Sequence, residues 1–432
     1  MTEISQESPE NTTLTQDEIK TKAKFQTSAK VNLSRYTKSE GIYPYFVPFS
    51  SKVGPRMMLN GRETIILGSN NYMGLADHPE MIKAATDAIE KYGTGCTGSR
   101  FLNGTLDLHT QLEKELAQYM EKDGAICFST GMQANLGVIA GITDKGDLIL
   151  SDEKNHASII DGCKLSAAKT KVYAHDNMES LEKLLKNARR GKYRNKWIIT
   201  DGVFSMEGNL AQIDVIVELA EKYDARVIID DAHGIGHIAD GRGSVKYYNL
   251  LDKVDLIVGT FSKSFASIGG FVVGDQEYID HLFHHARSLI FSASIPPAAA
   301  AAALKAVELF RKGDDRRTQL MKNTKEFRDG VKAAGFQTVD GMTPVVPIIV
   351  GDMLKMFKYN QDLLENGVYV NPVVPPATPV ATIRTSLMAT HTSEDISEAI
   401  EILEREAYKN RVLKKKNGKN GKNGKNKLPS VL

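Results

Sequence analysis

Six short apolar segments between residues 125 and 275 constrain the fold of this chain more than any other feature. They are rich in isoleucine and valine and are flanked by glycine and aspartate. These segments are AICFS (125–129), DLILSD (147–152), KWIITDG (196–202), RVIIDDAH (226–233), DLIVGTFS (255–262) and GGFVVGD (269–275). Their apolarity is continuous rather than alternating, which is typical of strands buried on both faces of a sheet.

Helical patterns separate these strands. Residues 178–190 place Leu181, Leu184 and Leu185 on one face, and residues 213–223 show the same spacing of apolar side chains. Strands that alternate with amphipathic helices predict an α/β fold with a mostly parallel sheet.

The sequence texture changes after an alanine-rich helical segment at residues 296–310. With 432 residues, 41% of them hydrophobic, the chain has enough apolar material for a large core and a second, smaller unit. The predicted parts are a disordered N-terminus (1–20), an N-terminal arm packing with the small domain (21–60), a large cofactor-binding α/β domain (61–300), a small C-terminal α+β domain (301–410) and a disordered Lys/Asn/Gly tail (411–432).

The charge of the chain is concentrated in its tail. The formal net charge is +2, and it falls to −5 when the seven lysines of KKKNGKNGKNGKNK (414–427) are set aside. A mildly acidic body argues against a nucleic-acid-binding protein. The tail itself has two interpretations: a solubilising extension, or a segment that contacts an anionic membrane surface.

The cysteines and the N-terminus indicate a compartment. Cys96, Cys127 and Cys163 show no C-x-x-C spacing, which favours reduced thiols, and we predict no metal site. The N-terminal segment is polar, and no apolar stretch reaches the length of a membrane span. We therefore expect a cytoplasmic protein, with peripheral contact at the inner membrane face as the alternative that the basic tail leaves open.

One glycine motif resembles a nucleotide-binding site but lacks the structural context that such a site requires. GTGCTG (93–98) matches the dinucleotide-binding pattern G-x-G-x-x-G, which must follow a strand and open a helix. Here the motif follows a helical pattern, so a loop close to a ligand or a partner chain fits better than a nucleotide site.

Polar side chains stand where the predicted strands end: Ser129, Asp201, Asp230, His233 and Lys263. In open α/β sheets, ligands bind beyond the carboxyl ends of the strands. Each of these residues alone is compatible with a simple capping role. Their occurrence at successive strand ends predicts chemistry at one edge of the sheet.

The segment STGMQANLG (129–137) and two later residues suggest which chemistry. The backbone N–H groups of Gly131 and Met132 would open a helix and form an anion site suited to phosphate. Asp230 would pair with a protonated ring nitrogen, and a lysine in a dry site is nucleophilic as the free amine. A phosphate cradle, a carboxylate and Lys263 together predict pyridoxal 5′-phosphate (PLP), held by Lys263 as a Schiff base.

Seven segments between residues 30 and 408 also carry a family resemblance. They are SNNYMGLADHP (69–79), GTGCTGSRFLNGTLDLHTQLE (93–113), NHASIIDG (155–162), DGVFSMEG (201–208), DDAHGIG (230–236), GTFSKSFASIGGF (259–271) and IRTSLMATHT (383–392). In these segments the chain resembles the α-oxoamine synthases, PLP-dependent enzymes of fold type I that condense an amino acid with an acyl-CoA and release CO2. The resemblance implies a large domain with a mostly parallel sheet and a smaller α+β C-terminal domain.

The resemblance implies roles for individual residues. The implied catalytic residues are Lys263, His156, Asp230 and His233. The implied cofactor-binding residues are Gly131, Met132, His156, Ser205, Asp230, His233, Thr260, Ser262, Lys263 and Ser292, the last resembling a position that reaches the phosphate from the partner subunit. The implied substrate-binding residues are Arg384, His156 and Arg100. A homodimer with shared active sites follows from the same resemblance.

The choice of substrates rests on four segments, residues 41–49, 99–105, 259–271 and 291–297. They are most similar to family members that condense L-serine with a long-chain acyl-CoA such as palmitoyl-CoA, giving 3-ketosphinganine, CoA and CO2 in the first step of sphingolipid synthesis. Two family alternatives stay open: glycine C-acetyltransferase and 8-amino-7-oxononanoate synthase. A catalytically silent scaffold subunit is the alternative from another class, and the presence of Lys263 argues against it.

Overall fold

The computed structural model describes residues 29–313 and 315–414. The predicted disordered N-terminus and the tail beyond residue 414 lie outside the described residues. By its internal contacts the chain falls into two units, one ending at Tyr45 and one beginning at Phe46. The described part of the first unit contains helix α1 (Ala29–Ser39). All other elements belong to the second unit.

A seven-stranded sheet forms the centre of the second unit. Its strands are β3 (Gly124–Phe128), β4 (Leu148–Asp152), β5 (Lys169–Tyr173), β6 (Lys196–Asp201), β7 (Arg226–Asp230), β8 (Leu256–Thr260) and β9 (Gly270–Gly274). Their order across the sheet is β3-β9-β8-β7-β6-β4-β5. Strand β9 runs antiparallel to both of its neighbours, and the pairs from β8 to β5 are parallel.

Helices lie between these strands and after them. Their bounds are α2 (Pro79–Tyr92), α3 (Asp107–Tyr119), α4 (Gly131–Ile142), α5 (Ala157–Leu165), α6 (Met178–Ala188), α7 (Ile213–Tyr223), α8 (Gly243–Tyr247), α9 (Gln276–His285), α10 (Arg287–Ile290), α11 (Pro297–Lys312), α12 (Arg316–Ala333), α13 (Met353–Glu365) and α14 (Ser393–Lys409). Among the described residues, no helix combines the length and the apolarity that crossing a membrane requires.

Burial explains why the strand segments are continuously apolar. Every residue of β3, β4, β8 and β9 is buried. Ile126, Ile149, Ile228 and Val258 belong to one core cluster with side chains of α4 and α5. Fully burying such a side chain contributes about 1.5–3 kcal/mol, so the sheet interior is a major source of stability.

Two small sheets complete the fold. Strands β10 (Val345–Gly351), β13 (Ala381–Ser386) and β12 (Asn371–Val373) form an antiparallel sheet in that order. Strands β1 (Arg56–Leu59) and β2 (Arg62–Ile66) form a hairpin, and β11 (Val368–Tyr369) pairs with β2 in parallel.

The predicted α/β class is confirmed, with a mostly parallel large sheet and smaller sheets built largely from the C-terminal part of the chain. All six apolar segments form strands of the large sheet, and the helix predicted at 213–223 has those bounds. Strand β5 is an addition that the sequence analysis did not predict. The predicted boundaries at 60/61 and 300/301 stay predictions; the hairpin of β1 and β2 spans the first, and α11 spans the second.

Candidate active site

A pocket of about 290 Å³ opens at the carboxyl ends of β7 and β8. Four of the five polar residues predicted at strand ends line the pocket, Asp201, Asp230, His233 and Lys263, whereas the Ser129 hydroxyl donates to the Ala293 carbonyl and is not part of the lining. Nine of the predicted site residues line it. They are Gly131, Met132, His156, Ser205, Asp230, His233, Thr260, Ser262 and Lys263. The glycine motif at residues 93–98 follows α2, as predicted. It is not part of this lining, and its closeness to a ligand or a partner chain stays a prediction.

Lys263 lies in the tight loop that joins β8 to β9. Phe261 and Phe265 flank it in sequence and are fully buried against Phe271, with ring centroids 5.2 and 5.7 Å from that ring. The Ala266 N–H donates to the Lys263 carbonyl at 2.9 Å and closes the turn. The two buried phenylalanines fix the loop on either side of Lys263, whose side chain lines the pocket.

The environment of Lys263 favours the neutral amine. Its side chain is only partly accessible, through the pocket. Desolvation lowers the pKa of Lys263 to about 8, and the negative charges of Asp230 and Asp201 oppose this shift. A free amine near neutral pH is the form that acts as a nucleophile or a general base.

Asp230 ends β7 and is held by two donors. Asn135 Nδ2 donates to its Oδ2 atom at 2.6 Å, and the Ala232 N–H donates to Oδ1 at 3.1 Å. The same Asn135 amide donates to Ser158 Oγ at 2.9 Å. These contacts fix the orientation of a carboxylate that is 5% exposed and faces the pocket.

His156 caps the start of α5 and lines the pocket. The backbone N–H of His156 donates to Asp201 Oδ2 at 2.7 Å, and its ring Nδ1 atom lies 2.6 Å from Ser158 Oγ. Burial raises the pKa of Asp201 well above its usual value, and the charge of Asp230 adds to this effect. The hydrogen bond from the backbone of His156 to Asp201 fixes the main chain at this position, and the exposed imidazole ring lines the pocket.

His233 is neutral and belongs to a buried hydrogen-bonded group. Its Nδ1 atom lies 2.7 Å from the Tyr72 hydroxyl, to which Arg384 Nη2 donates at 3.2 Å. Arg384 is fixed further by a bond from Nε to the Ser205 carbonyl at 2.6 Å. Burial lowers the pKa of His233 well below its usual value, and the charges of Lys263 and Arg384 act in the same direction.

The start of α4 has the features of a phosphate site. Thr130 caps the helix by accepting the Gln133 N–H at 3.1 Å, and the amides of Gly131 and Met132 precede the first intrahelical bond, from Ala134 N–H to the Thr130 carbonyl. Thr260 and Ser262 bring two hydroxyls, 2.8 Å apart, to the same wall. This donor set suits a dianionic phosphate.

Glycine is required for that close approach. A Cβ atom on Gly131 would lie 2.8 Å from Thr260 Oγ1, and one on Gly270 would lie 2.6 Å from Gly131 Cα. The residues present therefore fit PLP: amides and hydroxyls for its phosphate, Asp230 for its ring nitrogen and Lys263 for its aldehyde.

The structure does not bring three predicted residues into the pocket lining. Arg384 lies behind it, bonded to Ser205 and Tyr72. Ser292 accepts a bond from Gln133 Nε2 at 2.7 Å, close to the start of α4. Arg100 forms a buried bidentate ion pair with Glu113 at 2.7 and 2.9 Å.

The sequence analysis also assigned no site role to three residues that line the pocket or contact its predicted residues. Asn135 was not predicted as a site residue because it lies inside an apolar helix, although it follows Gly131 by one helical turn and so lies on the same face. Tyr72 and Asn70 belong to the quoted segment SNNYMGL (69–75), and Asn70 accepts from Arg384 at 3.1 Å. The polar residues of this short segment were the sequence signal that could have identified Tyr72 and Asn70.

Residues 62–403 match the family model described as aminotransferase class I and II. The match spans well over half of the chain. The chain belongs to the class I and II aminotransferase family.

Relatives narrow the position of the chain within this aminotransferase family. A serine palmitoyltransferase of Sphingobacterium spiritivorum is 46% identical over 377 residues, which cover 87% of this chain and 94% of that protein. An 8-amino-7-oxononanoate synthase of Thermoanaerobacter pseudethanolicus is 43% identical over 371 residues, which cover 85% and 94%. Both kinds of enzyme are α-oxoamine synthases, so the predicted resemblance is confirmed.

Solved structures of the same two kinds of enzyme are similar to this chain. Serine palmitoyltransferase of Sphingomonas wittichii has a TM-score of 0.86 at 34% identity, covering 89% of this chain and 98% of that chain. An 8-amino-7-oxononanoate synthase of Francisella tularensis has a TM-score of 0.69 at 28% identity, covering 81% and 99%. Structures of serine palmitoyltransferase with PLP are among these neighbours. The chain is a PLP-dependent enzyme of fold type I, as predicted.

Proposed function

We propose that this α-oxoamine synthase condenses L-serine with a long-chain acyl-CoA such as palmitoyl-CoA, releasing CoA and CO2 and forming 3-ketosphinganine, the first step of sphingolipid synthesis. The observation that carries the proposal is the structural similarity, which is greater to serine palmitoyltransferases than to the 8-amino-7-oxononanoate synthase structure. The second candidate is 8-amino-7-oxononanoate synthase, because relatives of that name reach 43% identity.

Lys263 is the proposed general base. When bound, PLP supplies an electron sink that stabilises the carbanion formed at the α-carbon of the amino acid. With a pKa of about 8, about a tenth of the Lys263 amine is neutral at pH 7, against about 0.04% for an ordinary lysine, so its Nζ atom is able to accept the α-proton. After the new carbon–carbon bond forms and the thiolate of CoA leaves, the carboxylate departs as CO2.

Asp230 and His233, which both line the pocket, are proposed to hold protons at two different atoms of the cofactor. Asp230 keeps the ring nitrogen of the cofactor protonated, because its carboxylate is held rigidly by Asn135 and by the Ala232 N–H. The neutral His233 contributes a single N–H, so it acts on the cofactor as a donor rather than as a cation. His156, which lines the pocket, would lie against the ring of the cofactor.

Arg384 is the proposed group for the carboxylate of the amino acid. It is 5% exposed, and its guanidinium is already oriented by Ser205 and Asn70. A preoriented guanidinium binds a carboxylate strongly and with defined geometry. Because every amino acid offers this carboxylate, Arg384 does not select L-serine; a polar group facing the hydroxymethyl side chain must do so.

A substrate matrix tests the proposal. The PLP-loaded protein is incubated with L-serine, glycine or L-alanine, each with palmitoyl-CoA, acetyl-CoA or pimeloyl-CoA, and released CoA thiol and product mass are measured. We expect the fastest turnover with L-serine and palmitoyl-CoA. Faster turnover of L-alanine with pimeloyl-CoA, or of glycine with acetyl-CoA, would identify another α-oxoamine synthase. Absence of turnover in all nine combinations, with PLP bound, would favour the silent scaffold subunit.

The remaining assignments are proposals that the same enzyme would require. We infer a cytoplasmic homodimer in which the partner subunit's Ser292 reaches the phosphate, and two domains divided near residues 60 and 300. Arg100 is kept as a proposed substrate-binding residue, although in one chain its guanidinium is committed to Glu113. The basic tail is the proposed contact with anionic membrane.

A further inference from the structure

A buried chain of hydrogen bonds links three side chains next to the pocket. The Tyr72 hydroxyl lies 2.7 Å from His233 Nδ1, and Arg384 Nη2 donates to the same oxygen at 3.2 Å. Tyr72 is fully buried and is not among the residues that line the pocket. It therefore contacts two proposed site residues without facing the reacting groups.

The ring of Tyr72 is held rigidly in this position. Its backbone N–H donates to the Asn70 carbonyl at 2.8 Å, and its own carbonyl accepts the Ala389 N–H at 2.7 Å. The ring packs against His237, with centroids 5.1 Å apart. The hydroxyl has little freedom to choose other partners.

The position of the phenolic proton follows from the distances to its two possible acceptors. A tyrosine hydroxyl donates one hydrogen bond, and both His233 Nδ1 and Asn70 Oδ1 are within reach, at 2.7 and 3.2 Å. Asn70 Oδ1 also accepts from Arg384 at 3.1 Å, which leaves it one lone pair for Tyr72, so distance decides between the two acceptors. The shorter contact, to His233, is therefore where the phenolic proton is placed best.

This placement determines the tautomer of His233. Burial lowers the pKa of His233 well below its usual value, so the ring carries one proton. If Nδ1 accepts from Tyr72, that proton is on Nε2. The guanidinium of Arg384 withdraws electron density from the phenolic oxygen and strengthens the donation to His233.

We propose that Tyr72 is a positioning residue that holds His233 as the Nε2–H tautomer and transmits the charge of Arg384 to it. The tautomer follows from contacts within this chain. The link to substrate rests on the proposed function, in which Arg384 binds the carboxylate: a carboxylate that draws Nη2 away from Tyr72 weakens the hydrogen bond at His233, so binding of the amino acid is sensed at this histidine.

Nitrogen NMR of histidines tests the tautomer. The full-length, PLP-loaded protein is labelled with ¹⁵N-histidine, and the His233 signals are identified by their loss in His233→Asn. We expect a protonated Nε2 and an unprotonated, hydrogen-bonded Nδ1. Tyr72→Phe should move the Nδ1 signal toward that of an unbonded nitrogen. The matched control is Tyr359→Phe, which loses a buried hydroxyl bonded to the Leu403 carbonyl at 2.7 Å and should leave His233 unchanged.

A double-mutant cycle tests the link to Arg384. Arg384→Gln should shift the His233 Nδ1 signal, and this shift should fall several-fold in the Tyr72→Phe background. Equal shifts in both backgrounds would overturn the link, and a wild-type proton on Nδ1 would overturn the proposal even if Tyr72→Phe failed to fold. None of these signals depends on which amino acid or acyl-CoA is used, so the outcome is separate from that of the substrate matrix.

Discussion

The depressed pKa of Lys263 makes a quantitative prediction for the protein without PLP. At pH 8 a lysine with a pKa of about 8 is about half in the free-amine form, whereas one with an ordinary pKa of about 10.4 is about 0.4% free. Because only the free amine reacts with acylating reagents, Lys263 has about a 100-fold larger reactive fraction than an ordinary surface lysine at this pH.

Trace acetylation followed by peptide mass spectrometry measures this effect. The labelling of each lysine is followed from pH 6 to pH 11, with Lys83 as the internal control because it is exposed and its ion pair with Asp87 raises its pKa. We expect a midpoint near pH 8 for Lys263 and a higher one for Lys83. Asp230→Asn removes a charge that raises the pKa of Lys263, so its midpoint should move lower still. A Lys263 midpoint at or above that of Lys83 would refute the reasoning.

Three further outcomes are expected. Asp230→Asn should reduce turnover at least about 100-fold, because the amide does not hold the ring nitrogen protonated; the unfolding midpoint, measured by calorimetry as the control, should fall only modestly, since the amide keeps an oxygen for Asn135 and loses the acceptor of the Ala232 N–H. Arg384→Ala should raise the KM of serine, glycine and alanine by similar factors and keep the order of preference; a changed order would contradict the proposed role. Deleting residues 414–432 should leave kcat and KM unchanged and reduce binding to anionic liposomes in a salt-sensitive way; equal binding of both forms at low salt would exclude the membrane contact.

Much of the fold was predictable because burial on both faces leaves a plain signature. The segments of β3, β4, β8 and β9 are continuously apolar, and all four strands are buried throughout. Strand β5 gave no such signal, because KTKVY lies at the edge of the sheet and buries only Tyr173. Strand β3 lies at the opposite edge of the sheet but is buried throughout, so local composition identifies a strand by its burial and not by its position in the sheet.

The site was predictable where a residue ends a strand, and less so where a contact joins distant segments. Asp230 and Lys263 follow buried strands, and the pocket forms where both strands end. The hydrogen bond between Tyr72 and His233 joins residues 161 positions apart, and neither sequence segment predicts this contact. The partner of Arg100 is likewise specified only once Glu113 is placed on α3 beside it.

Covalent trapping of the cofactor tests the central claim most directly. The PLP-loaded protein is reduced with borohydride, digested and mapped by mass spectrometry. The account predicts a pyridoxyl group on Lys263 and none after Lys263→Ala. The matched control is Lys122→Ala, which removes a lysine whose pKa is also lowered by burial but whose amine donates to the Val254 carbonyl at 2.7 Å, and it should keep the adduct. A pyridoxyl group on any other lysine of the wild-type protein would contradict the account.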